Sequence, residues 1–137
     1  MKNYIVDILT PDKVVAKGLV AKSIKVDTVR GEVNILPEHT HLITSLFTGL
    51  LTVNLENGSN SRFTVSKGIC KVLGNNITIL SSESLKPNEV NKEFFINENQ
   101  EITKKLQKTD LMADAQIESL YEKLDYNNAA LKLLGLN

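Results

Sequence analysis

The sequence is short of several residue types, and each shortage excludes a class of protein. It contains one cysteine, Cys70, so no disulfide can form within the chain. It contains two histidines, His39 and His41, whereas a zinc site needs three or four converging ligands. Any zinc site would therefore have to recruit scattered carboxylates, and neither a disulfide scaffold nor a zinc module is expected.

Net charge is also lacking, because 16 basic residues balance 16 acidic ones. A nucleic-acid-binding protein usually carries a basic excess, which this sequence does not. No apolar run approaches the roughly 20 residues of a membrane helix, and the amino terminus has neither a signal-peptide nor a transit-peptide pattern. We expect an intracellular protein whose contact with a membrane is peripheral.

Hydrophobic residues, at 42% of the chain, are plentiful enough for a core. Residues 1–85 contain many short segments with the period of half-buried strands, such as "YIVDILT", in which Tyr4, Val6 and Ile8 alternate with polar positions. Turn signals, including Gly18 and Asn57-Gly58, separate these segments. The pattern predicts an all-β N-terminal domain over residues 1–85, either a sandwich or a flattened barrel.

The period changes to that of helices after Lys86-Pro87, which predicts a second, helical domain over residues 86–137. Asn88 and Asp110 are the predicted helix caps, and Gly135 the predicted stop. A short junction near Lys108 predicts an antiparallel helix hairpin. The second helix has an apolar stripe formed by Ile117, Leu120, Tyr121, Leu124 and Leu131. Two short helices cover each other poorly, so we expect this hairpin to dock on the sandwich or on a partner.

Catalytic motifs are absent from the sequence: it has no G-x-S-x-G, P-loop or G-x-G-x-x-G. Cys70 lies in the apolar segment "GICKVL", where a buried and inert thiol is expected. A metal hydrolase built on His39 and His41 is the enzymatic alternative. A stand-alone β-sandwich binding module with a dimerising helix pair is the other alternative.

The segment "VRGEVNILPEHTHLITSLFTGLLTV" resembles the signature of the epsilon subunit of bacterial F-type ATP synthases. The matching residues, in order and spacing, are Gly31, Glu32, Ile35, Leu36, Pro37, His39, Leu42, Thr44, Gly49 and Leu50. The opening "YIVDILTPDKVVAKGLVAKSIKV" and the segment "NNITILSSES" are also similar to this family. The resemblance covers the first 85 residues, whereas the helical tail agrees in length and type.

This resemblance implies a ten-stranded β-sandwich followed by two helices. It implies a non-catalytic, peripheral subunit of the central stalk that binds the gamma subunit and the c-subunit ring, turning with the rotor to couple ion flow to ATP synthesis. It also implies that the helices can extend towards the alpha and beta subunits and inhibit ATP hydrolysis. The expected location is the cytoplasmic face of the bacterial inner membrane.

The resemblance also assigns residues. Glu32, His39 and Thr44 are the candidates for contact with the c-ring or gamma. Glu38 stands where the family usually has glycine, and His41 where it usually has proline, so the turn is expected to differ locally.

The tail departs further from the family. Some members bind ATP through an Asp and an Arg at the start of the first helix, and here Asn91 and Phe94 occupy those positions. With no arginine after Arg62, we expect no cofactor and little or no ATP binding. From Asp110 onward the chain has two lysines against five acidic residues, so inhibition would have to act through the apolar stripe.

Overall fold

A computed structural model describes residues 3–28, 30–35, 41–108, 110 and 112–135. The eight strands are β1 (Tyr4–Leu9), β2 (Val14–Thr28), β3 (Gly31–Ile35), β4 (His41–Leu46), β5 (Gly49–Leu55), β6 (Asn60–Val65), β7 (Gly68–Leu73) and β8 (Asn76–Ser81). A single 3₁₀ turn, Pro87–Glu89, leads into the two helices, α1 (Lys92–Leu106) and α2 (Asp114–Leu133).

The strands follow the order β4-β7-β8-β1-β2-β5-β6, with β3 also paired to β2. All pairs are antiparallel except β1 with β8. The long strand β2 belongs to both layers of the sandwich, because its first half pairs with β1 and its second half with β3 and β5. Over the described residues the sheet does not close, so the β-sandwich prediction is confirmed and the barrel alternative is not.

The predicted number of ten strands is wrong for the part of the chain that the structure describes, which has eight. One cause lies at Gly18, where the sequence suggested a turn between two strands. Gly18 has φ +70° and its N–H donates to Asp7 Oδ1 at 2.8 Å, beside a shift of register between Val6 and Ile8. The glycine therefore accommodates a bulge in one continuous strand instead of ending it.

The core lies between the two layers and is built from alternate residues of each strand. Tyr4, Val6 and Ile8 are all buried, which confirms the alternation predicted for β1. The largest cluster of buried side chains also includes Ile24, Leu51, Val53, Cys70, Val72, Ile77 and Ile79. These side chains stabilise the sandwich by removing apolar surface from water, at about 25 cal/mol per Å².

The helices form the predicted hairpin. The Phe95 and Tyr126 rings meet edge to face with centroids 6.5 Å apart. Polar contacts continue the interface, because Asn127 Nδ2 donates to Glu98 Oε1 at 2.9 Å. No helix among the described residues is both long and apolar enough to cross a membrane.

Both predicted helix caps are wrong, whereas the stop is right. Asn91, not Asn88, caps α1, since its side chain accepts the Phe94 N–H at 3.2 Å. Asn88 lies inside the 3₁₀ turn, which Pro87 begins. α2 begins at Asp114, four residues after Asp110. Gly135 follows its end with φ +81°, the left-handed conformation that favours glycine.

Candidate interaction surfaces

The two layers of the sandwich present very different outer faces. The outer face of β7, β8, β1 and the first half of β2, with the edge strand β4, carries no other element of the described chain. We call it the bare face. Its exposed large apolar residues are Ile5, Val14, Val20, Ile43, Ile69, Leu73 and Leu80.

The strand register arranges the bare face in three rows. The first row is apolar across four strands, with Ile69 opposite Leu80, Leu80 beside Leu9, and Leu9 opposite Val14. The middle row is mixed and contains Ile43, Lys71, Thr78 and Asp7. The third row contains Leu73, Asn76, Ile5 and Val20. One apolar row and one row that mixes apolar residues with Asn76 thus flank one pair of opposite charges.

The opposite face, formed by β5 and β6, is covered by the helix hairpin. α2 contacts both strands, and its buried residues are Tyr126, Asn127, Ala129, Ala130 and Leu133. Phe95, Tyr126 and Ala130 form a second buried cluster, against which Leu85, Val90 and Leu131 pack. The hairpin therefore buries one outer face of the sandwich and leaves the other bare.

A buried hydrogen-bond group anchors the hairpin. The Thr64 and Tyr126 hydroxyl oxygens lie 2.9 Å apart. Thr64 also holds the connecting segment, because its hydroxyl accepts the Leu85 N–H at 2.8 Å and its own N–H donates to the Leu85 carbonyl. Burial raises the pKa of Tyr126 to about 12, so the phenol stays protonated at neutral pH.

Two exposed ion pairs also connect the sandwich to the C-terminal part of the chain. Lys13 Nζ lies 2.8 Å from Glu89 Oε2, and the hydrogen bond from Lys13 lowers the pKa of the Glu89 carboxyl. Lys67 pairs with Glu122 of α2, and the hydrogen bond from Lys67 to Glu122 raises the pKa of the lysine. Because these groups are exposed, each pair contributes little to stability.

Two of the three predicted contact residues, Glu32 and Thr44, lie at one end of the sandwich. Glu32 and Thr44 are exposed and line one recess of about 180 Å³ with Ile35, Leu46 and Cys70. Glu32 Oε2 lies 3.6 Å from Lys25 Nζ, and the Arg30 guanidinium lies 4.6 Å from the Phe47 ring centroid at the same end. The structure thus brings Glu32 and Thr44 together, whereas His39 lies outside the described residues.

The structure also describes the single cysteine and one of the two histidines that were considered as catalytic or metal-binding residues. Cys70 is 1% exposed, and burial raises its thiol pKa to about 11, as expected for an inert thiol. His41 is exposed at the start of β4. Within the ranges that the structure describes, no three His, Cys, Asp or Glu side chains come together as metal ligands.

The predicted stripe of α2 lies beside its docked face. Ile117, Leu120, Leu124 and Leu131 are half-buried, and Tyr121 is 52% exposed. The most buried positions are instead Asn127 and Ala130. Asn127 could not be found from hydrophobicity, because its burial depends on the hydrogen bond to Glu98.

Comparison with known proteins is consistent with this architecture. Residues 3–87 match the family model described as "ATP synthase, Delta/Epsilon chain, beta-sandwich domain". An ATP synthase epsilon chain from Sulfurihydrogenibium sp. is 30% identical over 131 residues, which are 93% of each chain.

Two solved structures share the fold. A chain in the Euglena gracilis mitochondrial ATP synthase (OSCP/F1/c-ring) superposes with a TM-score of 0.79 at 20% identity, covering 96% of this chain and 81% of that one. A chain in the Tetrahymena thermophila mitochondrial ATP synthase (central stalk/c-ring) superposes with a TM-score of 0.64 at 16% identity, covering 98% and 99%.

The family model covers more than half of the chain, and the bacterial relative matches it along nearly its whole length. These findings confirm the family that the residues between Gly31 and Leu50 resemble. The chain belongs to the family of ATP synthase epsilon chains.

Proposed function

We propose that this chain works in the central stalk of its ATP synthase, where it joins the gamma subunit to the c-subunit ring and turns with the rotor. The observation that carries the proposal is the contrast between the two outer faces of the sandwich. One face is buried by the protein's own helices, and the other is apolar and bare. The central-stalk and c-ring assemblies named for the structural neighbours support this placement.

The bare face is the proposed site for gamma. Contiguous exposed apolar patches mark surfaces that other proteins cover. The row from Ile69 through Leu80 and Leu9 to Val14 crosses four strands without a charged side chain. A partner with an apolar surface would bury this row, and the neighbouring charges of Asp7 and Lys71 would fix its orientation.

The end that carries Glu32 and Thr44 is the proposed site for the c-ring. The Glu32 side chain is 48% exposed, so its carboxylate can pair with a basic residue of a c-subunit loop. Lys25 already lies 3.6 Å away, and it would compete for that carboxylate. His39 remains a proposed contact of the c-ring or gamma, from the resemblance alone.

The hairpin is the proposed regulatory element, with residues 1–85 and 86–137 as the two functional units. Extension of the helices towards alpha and beta would break the Thr64–Tyr126 hydrogen bond and the Lys67–Glu122 pair. The half-buried stripe of Ile117, Leu120, Tyr121, Leu124 and Leu131 is the surface that could meet those subunits. α2 contains two lysines against four acidic residues, so this contact would be mainly apolar.

The tail is proposed not to bind ATP. The Asn91 side chain is occupied as the cap of α1, and Phe94 offers no positive charge. No arginine follows Arg62 to contact a phosphate group. Calorimetry of the full chain with Mg-ATP should show no saturable binding at micromolar concentrations, and such binding would contradict this proposal.

The proposed location is peripheral, on the cytoplasmic face of the bacterial inner membrane. There the protein would be held through gamma and the c-ring. The bacterial source of the relative with 30% identity supports this placement.

The test of this function is reconstitution with membranes stripped of their own epsilon subunit. The wild-type chain should restore ATP-driven proton pumping. A double variant with Ile69→Asp and Leu80→Asp should fail, because it places two charges on the bare face. Leu134→Asp is the control, since Leu134 is also exposed but lies just past α2 and outside the apolar stripe. Failure of the wild-type chain, or pumping restored equally by the bare-face variant, would refute the proposal.

The proposed regulatory role of the hairpin has its own test. ATP hydrolysis by the assembled head and stalk is compared between the full chain and a chain truncated after Ser84. Faster hydrolysis after truncation would support inhibition by the hairpin, and unchanged hydrolysis would contradict it.

A further inference from the structure

A cleft of about 560 Å³ lies between the hairpin and the sandwich. It is a different feature from the bare face and from the recess beside Glu32. One wall is formed by the β1–β2 turn and the segment after β8, and the other by α1 and α2. Its volume is within the range of small-molecule sites in proteins.

The charges along the cleft do not balance. Four carboxylates line it, from Asp12, Glu83, Glu98 and Glu122, together with the ammonium groups of Lys13 and Lys123. Glu98 is paired with Lys123, and Glu122 is paired with Lys67 outside the cleft. Lys13 is likewise neutralised from outside, by Glu89. Among the described residues this leaves Asp12 and Glu83 without an ion-pair partner, so the cleft favours a dication.

Ser84 also lines this cleft, and its side chain is buried. Ser84 is 4% exposed, and its Oγ has no hydrogen-bond partner in the described protein. A buried polar group without a partner costs about 1–3 kcal/mol. Ser84 is the sequence neighbour of Glu83, so an ammonium group could receive a carboxylate and a hydroxyl from adjacent residues.

Aromatic side chains complete the lining. Phe94 is 54% exposed and Phe95 is buried beside it, with ring centroids 5.3 Å apart. Aromatic faces attract cations and also pack against methylene chains. This combination suits a ligand with positive ends and an aliphatic middle, and it disfavours a nucleotide, whose phosphates would meet carboxylates.

We propose that the cleft binds a short aliphatic polyamine, with one ammonium group at Glu83 and Ser84 and its methylene chain against Phe94. The other ammonium group lies towards Asp12. Because such a ligand contacts both the sandwich and α1, it stabilises the docked hairpin by binding this conformation selectively. This ligand site is independent of the proposed gamma and c-ring contacts.

The test is calorimetric titration of the full chain with the diamine 1,4-diaminobutane at constant ionic strength. We expect saturable binding with one site per chain. The double variant Asp12→Asn, Glu83→Gln should weaken it by about tenfold or more, and Ser84→Ala by about fivefold. Ser84→Ala should keep the fold, because the hydroxyl has no partner in the protein. The control variant is Glu56→Gln with Glu101→Gln, two exposed carboxylates that do not line the cleft.

Several results would overturn the proposal. These are no saturable binding of 1,4-diaminobutane, an equal loss of affinity in the control variant, and displacement by Mg²⁺ at the same ionic strength, which would indicate unspecific charge screening. Unaltered affinity in Ser84→Ala would remove the hydroxyl from the site. Each of these results leaves gamma binding unaffected, so failure here and failure of the proposed function are distinguishable.

Discussion

Tyr126 of α2 and Thr64 of β6 join their hydroxyl oxygens at 2.9 Å in a buried contact between hairpin and sandwich. Their separation in sequence is 62 residues, so this bond forms only when the hairpin is docked. Thr64 is also hydrogen-bonded to Leu85, which precedes the helices in the chain. The connecting segment and the hairpin are therefore both hydrogen-bonded to Thr64.

The first prediction concerns this bond. Tyr126→Phe removes one hydroxyl and keeps the ring, so the hairpin should be destabilised by about 1 kcal/mol. Hydrogen exchange should show faster opening of α2, with the β-sandwich amides unchanged. Tyr121→Phe, at an exposed position on the same helix, is the matched control. Equal protection in wild type and Tyr126→Phe would show that the bond does not hold the hairpin.

The second prediction distinguishes the two asparagines near the start of α1. Asn91→Ala should destabilise the hairpin by about 1 kcal/mol, because the Asn91 side chain accepts the Phe94 N–H. Asn88→Ala should have little effect, since Asn88 is exposed in the 3₁₀ turn. Urea unfolding followed by circular dichroism measures both. A larger loss of stability in Asn88→Ala than in Asn91→Ala would contradict this and support Asn88 as the cap, as the sequence suggested.

The third prediction concerns the Cys70 thiol. Its pKa is about 11 in the folded protein and it is 1% exposed, so an aromatic disulfide reagent at pH 8 should react only on unfolding. Stoichiometric reaction of the native protein within seconds would contradict this burial.

The fourth prediction concerns how stability depends on pH, because Cys70 and Tyr126 are both buried. Burial raises the pKa values of Cys70 and Tyr126 in the folded protein to about 11 and about 12, above their ordinary values of 9.0 and 10.0. The unfolded chain therefore releases these protons first. The contribution of the two groups to the free energy of unfolding should be constant below about pH 9 and fall between about pH 9 and 12. Cys70→Ala should remove the part of this fall between pH 9 and 11. A stability that rises across this interval would contradict the burial of both groups.

Periodicity predicted the architecture well where one face of an element is buried and the other is not. Tyr4, Val6 and Ile8 were found this way, because strand side chains alternate between core and outside. The strand count taken from the resemblance failed in part at Gly18, where one residue suits either a turn or a bulge. The local sequence cannot show that Asp7 accepts its N–H.

The docked face of the hairpin could not be predicted from the sequence. Asn127 and Tyr126 are buried because Glu98 and Thr64 satisfy their polar atoms, and those partners are 29 and 62 residues away. A hydrophobic stripe therefore identifies α2 but not its docked face. Glu32 and Thr44 were selected from the resemblance, and their meeting at one recess depends on how β3 and β4 lie in the fold.

The most direct test of the central claim is the affinity of the purified full chain for the gamma subunit of the same organism, measured by calorimetry. Leu73→Asp on the bare face should weaken binding by at least about a hundredfold, since it would bury an unpaired charge in an apolar contact. Leu134→Asp, at an exposed leucine just past α2, should leave binding unchanged. Full affinity in Leu73→Asp with loss in Leu134→Asp would place gamma on the helices and contradict the account.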